Sequence, residues 1–300
     1  MTAIMSDGRF ANDAGFFPAS AACDEVLAQA RTNVARLLGG RPEEIVFNTS
    51  TTANLFNLTR SLATQWRSGD VIVCTELDHD ANIASWLTAA RDAGASVELA
   101  RVDPKTCRLD LDHLDSLLGP RTRWLAITAA SNATATATDL GPIIALAHER
   151  SIRVLVDAVA YVPHREIDVA ALGCDALATS PYKWYGPHAG ALWLTSDLIE
   201  ELPAYQIRPG HTHGPARFEH RTPPYEVLAG IGAAAEFLLS AGLAALREHE
   251  EHLLHELICG LLAIPGVRLY GEPTVGKPRA SSPAIGPATA GVPDLLTSVT

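Results

Sequence analysis

The chain has 300 residues, enough for one large domain and part of a second, and 47% hydrophobic against 19% charged residues describes a globular protein with ample core. Its 23 basic and 34 acidic side chains leave a formal charge of −11, which argues against nucleic acid as a partner because phosphate backbones need clustered Lys and Arg. No run approaches the roughly 20 apolar residues that span a bilayer, Met1 to Asp13 holds no apolar signal core, and five cysteines without CxxC spacing fit free thiols in a reducing, cytoplasmic setting.

Residues 1–40 read as an N-terminal arm and helix. Ile45 to Phe47 is a short strand, and Thr51 to Trp66 a helix with Leu55, Leu58 and Leu62 at helical spacing. Val71 to Cys74 is a buried strand, followed by a helix from about Asp80 to Ala93 and a strand over Ser96 to Ala100. Asp112 to Leu118 is a short helix capped near Asp110. Trp124 to Ile127 is a strand, Leu140 to Arg150 a helix and Val154 to Val156 a strand. Ala176 to Ala178 and Ala191 to Leu194 are strands flanking a turn. Short apolar runs separated by helices predict an α/β fold: a mostly parallel central sheet with helices on both faces.

Residues 41–224 therefore form the large domain. Residues 225–270 hold a long Ala/Leu-rich helix, Tyr225 to Leu262, and the strand Gly266 to Tyr270 that starts a smaller domain. Residues 271–300 are rich in Pro, Ala, Gly and Ser, predict an irregular tail and leave that C-terminal domain incomplete.

The turn between the last two large-domain strands carries Ser180-Pro181-Tyr182-Lys183-Trp184-Tyr185-Gly186-Pro187. Lys183 lies 26 residues after Asp157, which closes the apolar run Val154 to Val156. A carboxylate ending a buried strand and an amine on a later strand-end turn suit an aldehyde cofactor with a basic ring nitrogen. The amine forms a Schiff base and the carboxylate keeps the ring protonated. Three aromatic neighbours argue against a plain surface lysine. Ser50-Thr51-Thr52 sits between a strand and a helix, where free N–H groups suit a phosphate; a plain N-cap is the other reading. His79 and Asn132 lie in loops after strands, where ligands of parallel sheets bind; alone, each is equally a turn residue.

Six segments occur in one order: Thr49 to Thr52, Glu76-Leu77-Asp78-His79-Asp80-Ala81-Asn82, Ala130-Ser131-Asn132, Val156-Asp157, Ser180 to Lys183 with Gly186-Pro187, and Arg217-Phe218-Glu219 with Thr222-Pro223. Together they resemble the class V aminotransferase and cysteine desulfurase-like group of fold-type I pyridoxal-phosphate (PLP) enzymes, over about Ala11 to Tyr270. The resemblance implies a PLP-transferase fold and an enzyme acting on an amino acid or amine. It implies that Lys183 holds the cofactor, Asp157 faces the ring nitrogen and His79 stacks on the ring and shuttles a proton. Asn132 would contact the phenolic oxygen. Ser50, Thr51, Thr52, Ser180 and Tyr182 would reach the phosphate. Thr222 would reach the phosphate of a neighbouring subunit, which implies a homodimer.

The chain departs from that pattern. Tyr182 replaces the desulfurase histidine beside the lysine, Ala160 stands where Gln or His is frequent, and Asp80 replaces a second loop histidine. No cysteine occupies the position that the resemblance implies for sulfur acceptance, and the expectation against that pattern is a chain without the family's first segment and with an incomplete small domain. The alternative expectation is a truncated, catalytically silent homologue that binds PLP or a partner chain. Three other patterns are set aside. Gly230-Ile231-Gly232 lies in a helix, not after a strand, so it is no dinucleotide fingerprint. His249, His252 and His255 lack H-E-x-x-H spacing and predict a solvated helix face, not a metal site. His211 and His213 could chelate a metal but equally fit a Gly-rich loop.

Overall fold

Alternate residues of a strand point to opposite faces of a sheet, so a strand apolar at every position must be covered on both sides. Val71 and Val73 pack into one core while Ile72 and Cys74 pack into another, and the same division repeats along the sheet. The computed structural model describes residues 1–7, 11–12, 15–208, 210–219, 222–271 and 284–287.

Two helices come first, α1 (Thr2–Asp7) and α2 (Pro18–Leu38). Next are β1 (Ile45–Asn48), α3 (Thr51–Ala63), β2 (Val71–Thr75), α4 (Ala81–Ala93) and β3 (Ser96–Ala100). A small hairpin of β4 (Val102–Asp103) and β5 (Arg108–Leu109), which the sequence reading missed, leads to α5 (Leu111–Leu117). Asp110 caps α5 by accepting the His113 amide at 3.0 Å. Then come β6 (Thr122–Thr128), α6 (Leu140–Glu149), β7 (Arg153–Asp157), the single turn α7 (Val169–Leu172), β8 (Ala176–Thr179), β9 (Gly190–Leu194) and α8 (Ser196–Glu201). The chain continues through α9 (Tyr225–Ala241), α10 (Leu243–Leu262), β10 (Val267–Tyr270) and β11 (Ala284–Pro287).

Seven strands form one sheet in the order β1-β9-β8-β7-β6-β2-β3. The pairs β8/β7, β7/β6, β6/β2 and β2/β3 are parallel, and only β9 runs against its neighbours. β1 therefore points the same way as β8. The C-terminal ends of β1, β8, β7, β6 and β2 share one edge with the N-terminus of β9, and ligands of such sheets bind along that edge.

The sheet's two faces are sealed differently. On one, Trp86 of α4 is fully buried, stacks on Trp66 with ring centres 6.0 Å apart, and meets Trp124 at a 38° tilt with centres 5.7 Å apart. On the other, α2 crosses α9 closely. Gly232 of α9 abuts Ala30, and Asn33 donates its side-chain amide to the Gly232 carbonyl at 3.0 Å. The Gly230-Ile231-Gly232 motif is thus a helix-packing feature.

Two differences from the sequence reading concern the C-terminal region. The expected single helix is broken at Gly242, whose φ of 80° lies in the left-handed region, and α9 and α10 diverge by 78°. The expected irregular tail contains β11, which pairs antiparallel with β10 from Val267–Pro287 to Tyr270–Ala284; residues 272–283 and 288–300 of that tail lie outside the described residues. No single described helix is long and apolar enough to cross a membrane. His249, His252 and His255 lie on α10, where His252 meets Glu256 at 3.4 Å, and His213 meets Glu200 at 3.2 Å. Among the described residues no group of His, Cys, Asp and Glu is arranged to hold a metal ion.

Candidate active site

The shared strand edge opens into a pocket of about 170 Å³. Nine of the ten residues singled out from sequence line it: Ser50, Thr51, Thr52, His79, Asn132, Asp157, Ser180, Tyr182 and Lys183. Thr222 does not; it is exposed, three residues past Glu219. That segment is fastened to the sheet by Glu219, which pairs with Arg31 at 2.6 Å and accepts the Phe47 amide at 2.8 Å.

Each loop is positioned by local chemistry. Ser50 caps α3 by accepting the Ala53 amide at 3.0 Å, so its hydroxyl oxygen is engaged as a cap. Thr51 and Thr52, in the first turn of this helix where backbone amides lack intrahelical partners, line the pocket. Thr51 is buried, donates to the Thr179 carbonyl at 2.8 Å, and shares a 2.7 Å hydrogen bond with Ser180. The loop approaches β9 so closely that a Cβ on Gly190 would lie 2.3 Å from the Ser50 carbonyl carbon and 2.4 Å from the Thr51 nitrogen. Only glycine fits there.

Lys183 stands on a 3₁₀ turn, Pro181–Trp184. Trp184 anchors it: the indole is fully buried and donates to Thr179 Oγ1 at 3.1 Å. The turn closes at Tyr185 with φ 69°, an uncommon conformation for an aromatic residue, stabilised by the Gly186 amide donating to the Pro181 carbonyl at 2.8 Å. Tyr182 and Tyr185 are 47% and 63% exposed. Of the three aromatic neighbours only Trp184 is inside, and its role is to hold the turn rather than to enclose the amine. Among the described residues the Lys183 ammonium makes no ion pair.

Asp157 ends β7 at the pocket floor, 5% exposed. It accepts the Val159 amide at 2.9 Å and makes no ion pair among the described residues. Burial pushes its carboxyl up from the usual range, against the Val159 hydrogen bond and the attraction of His79 and Lys183. A buried carboxylate without a counter-ion is a demand for a cation, and a protonated pyridine nitrogen is such a cation. That unfilled demand, beside a lysine and a hydroxyl-rich helix start, fits PLP.

His79 is exposed and its Nδ1 accepts the Ala81 amide at 3.1 Å. Beneath it lies a residue the sequence reading passed over. Asp78 accepts the Thr75 amide at 3.0 Å, the Thr75 hydroxyl at 2.6 Å and the Asn82 side-chain amide at 2.9 Å. Burial pushes its carboxyl up to about 8; the Thr75 and Asn82 hydrogen bonds oppose the rise and the nearby Asp157 charge adds to it. Asn82 in turn accepts from the Trp86 indole at 3.1 Å, which ties the His79 loop to the tryptophan stack.

A family model described as aminotransferase class-V matches residues 13–290. The chain belongs to the class V aminotransferase family. A cysteine desulfurase of Enterobacter sp. (strain 638) is 35% identical over 272 residues, covering 86% of this chain and 67% of that protein. One from Escherichia coli O127:H6 is 34% identical over 278 residues with the same coverage. Among solved structures, the cysteine desulfurase CsdA of Escherichia coli superposes with a TM-score of 0.81 at 26% identity, over 91% of this chain and 72% of that one. The apo cysteine desulfurase of Thermococcus onnurineus NA1 gives 0.83 at 25% identity, over 91% and 71%. The chain thus spans about two thirds of its relatives' length.

Within this family the pocket has its own features. No cysteine lines it among the described residues; Cys23, Cys74, Cys107 and Cys174 are buried elsewhere and Cys259 is exposed on α10. Ala160, where a larger polar residue was expected, leaves the wall beside Asp157 small. His188 lines the pocket and was also missed. Its only sequence signal was its place between Gly186-Pro187 and an apolar strand.

Proposed function

We propose that this chain is a PLP-dependent, cysteine desulfurase-like enzyme that acts on the Cα of an amino acid. The observation that carries the reading is the buried, cation-demanding Asp157 sharing one pocket with Lys183 and the Ser50 to Thr52 helix start. When bound, PLP supplies an electron-withdrawing ring that draws charge from a substrate carbon.

The chain's residues divide the remaining work. Lys183 would hold the cofactor's aldehyde, and its amine, when free, is a base placed to move a Cα proton. Asp157 holds the ring nitrogen protonated. His79, exposed among the pocket-lining residues, would cover the ring and pass protons. Asn132 orients the ring's phenolic oxygen. Ser50, Thr51, Thr52, Ser180 and Tyr182 would form the cradle for the phosphate, with the first amides of α3 and the hydroxyls not already donating within the protein as its donors. Thr222 reaches the phosphate of a second copy, so the working unit is a homodimer; its exposure outside its own pocket is consistent with a role across an interface. Five free cysteines support a reducing, cytoplasmic setting.

The test is Cα–H exchange in D₂O, followed by NMR across a panel of amino acids with PLP-loaded protein, together with sulfide and alanine release from L-cysteine. Exchange with at least one amino acid, abolished in Lys183→Ala, is expected. PLP uptake with no exchange and no product from any amino acid contradicts the reading.

A further inference from the structure

The order of the strands gives the pocket two ends. Asp157, Asn132 and His79 follow β7, β6 and β2 at one end; Thr49 to Thr52, the Ser180 turn and the entry to β9 gather at β1, β8 and β9 at the other. The second end is rich in neutral donors. A phosphate monoester near neutral pH carries between one and two negative charges, and hydroxyls and amides do not neutralise them. Among the described residues that line the pocket only Lys183, His79 and His188 can carry positive charge. Lys183 is committed to the aldehyde, and His79 stands at the far end.

His188 is placed at the hydroxyl-rich end. It lies two residues before Gly190, whose backbone abuts Ser50 and Thr51. Its ring stacks on Tyr182, centres 5.1 Å apart and planes 17° from parallel, which fixes the imidazole's orientation. Tyr182 stands where the sequence pattern led us to expect a histidine. The imidazole is therefore relocated six residues along, onto the face of the ring that replaced it.

Building on the cofactor reading above, we infer that His188 is a further binding residue, the cationic contact for the phosphate group of the cofactor. Tyr182, besides its own contact to the phosphate, is the stacking support that orients His188. The site discriminates a phosphorylated aldehyde from the same aldehyde without phosphate.

The experiment measures affinities of cofactor-free protein for PLP, pyridoxal and inorganic phosphate by calorimetry, in the unaltered protein and in His188→Ala, His188→Gln and His188→Arg. His188 is exposed, so these changes leave the core intact. Expected are an about tenfold loss of PLP and phosphate affinity in the Ala and Gln variants, unchanged pyridoxal affinity, and recovery in the Arg variant, as for loss of one charge-assisted contact. An unchanged PLP-to-pyridoxal ratio, or equal losses for both, overturns the inference. His188-dependent phosphate binding without uptake of either aldehyde overturns the cofactor reading and leaves the anion contact standing.

Discussion

Asp78 and Asp157 place two carboxyl groups behind one pocket, and each is pushed toward its neutral form first of all by burial. A carboxyl whose pKa is raised on folding stabilises the fold while protonated. For Asp78, that contribution is complete below about 4 and is lost as pH rises through about 8. The cofactor-free protein is therefore expected to show a lower urea midpoint at pH 9 than at pH 5. Asp78→Asn should flatten that slope, and an unaltered slope in the variant would remove Asp78 as its source. Asp157→Asn should weaken PLP binding by at least tenfold in direct titration, since it removes the counter-charge for the ring. Single residues were legible in sequence where a strand end or a turn announced them, as with Asp157 and Lys183. Asp78 was not, because its meaning depends on Thr75, Asn82 and Asp157 converging on it in space. His188 was not, because only the fold brings the β9 entry beside the Ser50 loop.

At the scale of elements, the strands were the most legible part, because burial on both faces forces continuous apolar runs. Helix starts were equally plain where Ser50 and Asp110 cap them. The break at Gly242 was masked by Ala/Leu-rich sequence on both sides, and β11 by a composition typical of loops. Two element-scale outcomes can be measured. Gly190→Ala puts a Cβ against backbone atoms of Ser50 and Thr51, so the start of α3 must shift; phosphate affinity should collapse and stability fall by about 1–3 kcal/mol in urea unfolding. Trp86→Ala removes the centre of the tryptophan stack and the partner of Asn82, and should cost about 3–5 kcal/mol in the same assay. A loss under 1 kcal/mol would show that the stack is not a principal support of the sheet's face.

At the scale of the whole molecule, the parallel sheet and single reversed strand explain why five of the six dispersed segments meet. Every one of the five strands preceding a site loop ends at the same edge, so sequence order becomes spatial neighbourhood. Nine of the ten residues expected from sequence line one pocket for that reason, and Thr222 stands apart from it; the proposed homodimer would give it a phosphate on a second copy. Sedimentation should accordingly give a dimer, and Thr222→Ala should weaken PLP binding without changing the mass. The central claim concerns one nitrogen atom. Treating the PLP-loaded protein with borohydride and mapping its peptides should place a phosphopyridoxyl group on Lys183, with none in Lys183→Ala. Labelling at another lysine, or none in the unaltered protein, would contradict the account.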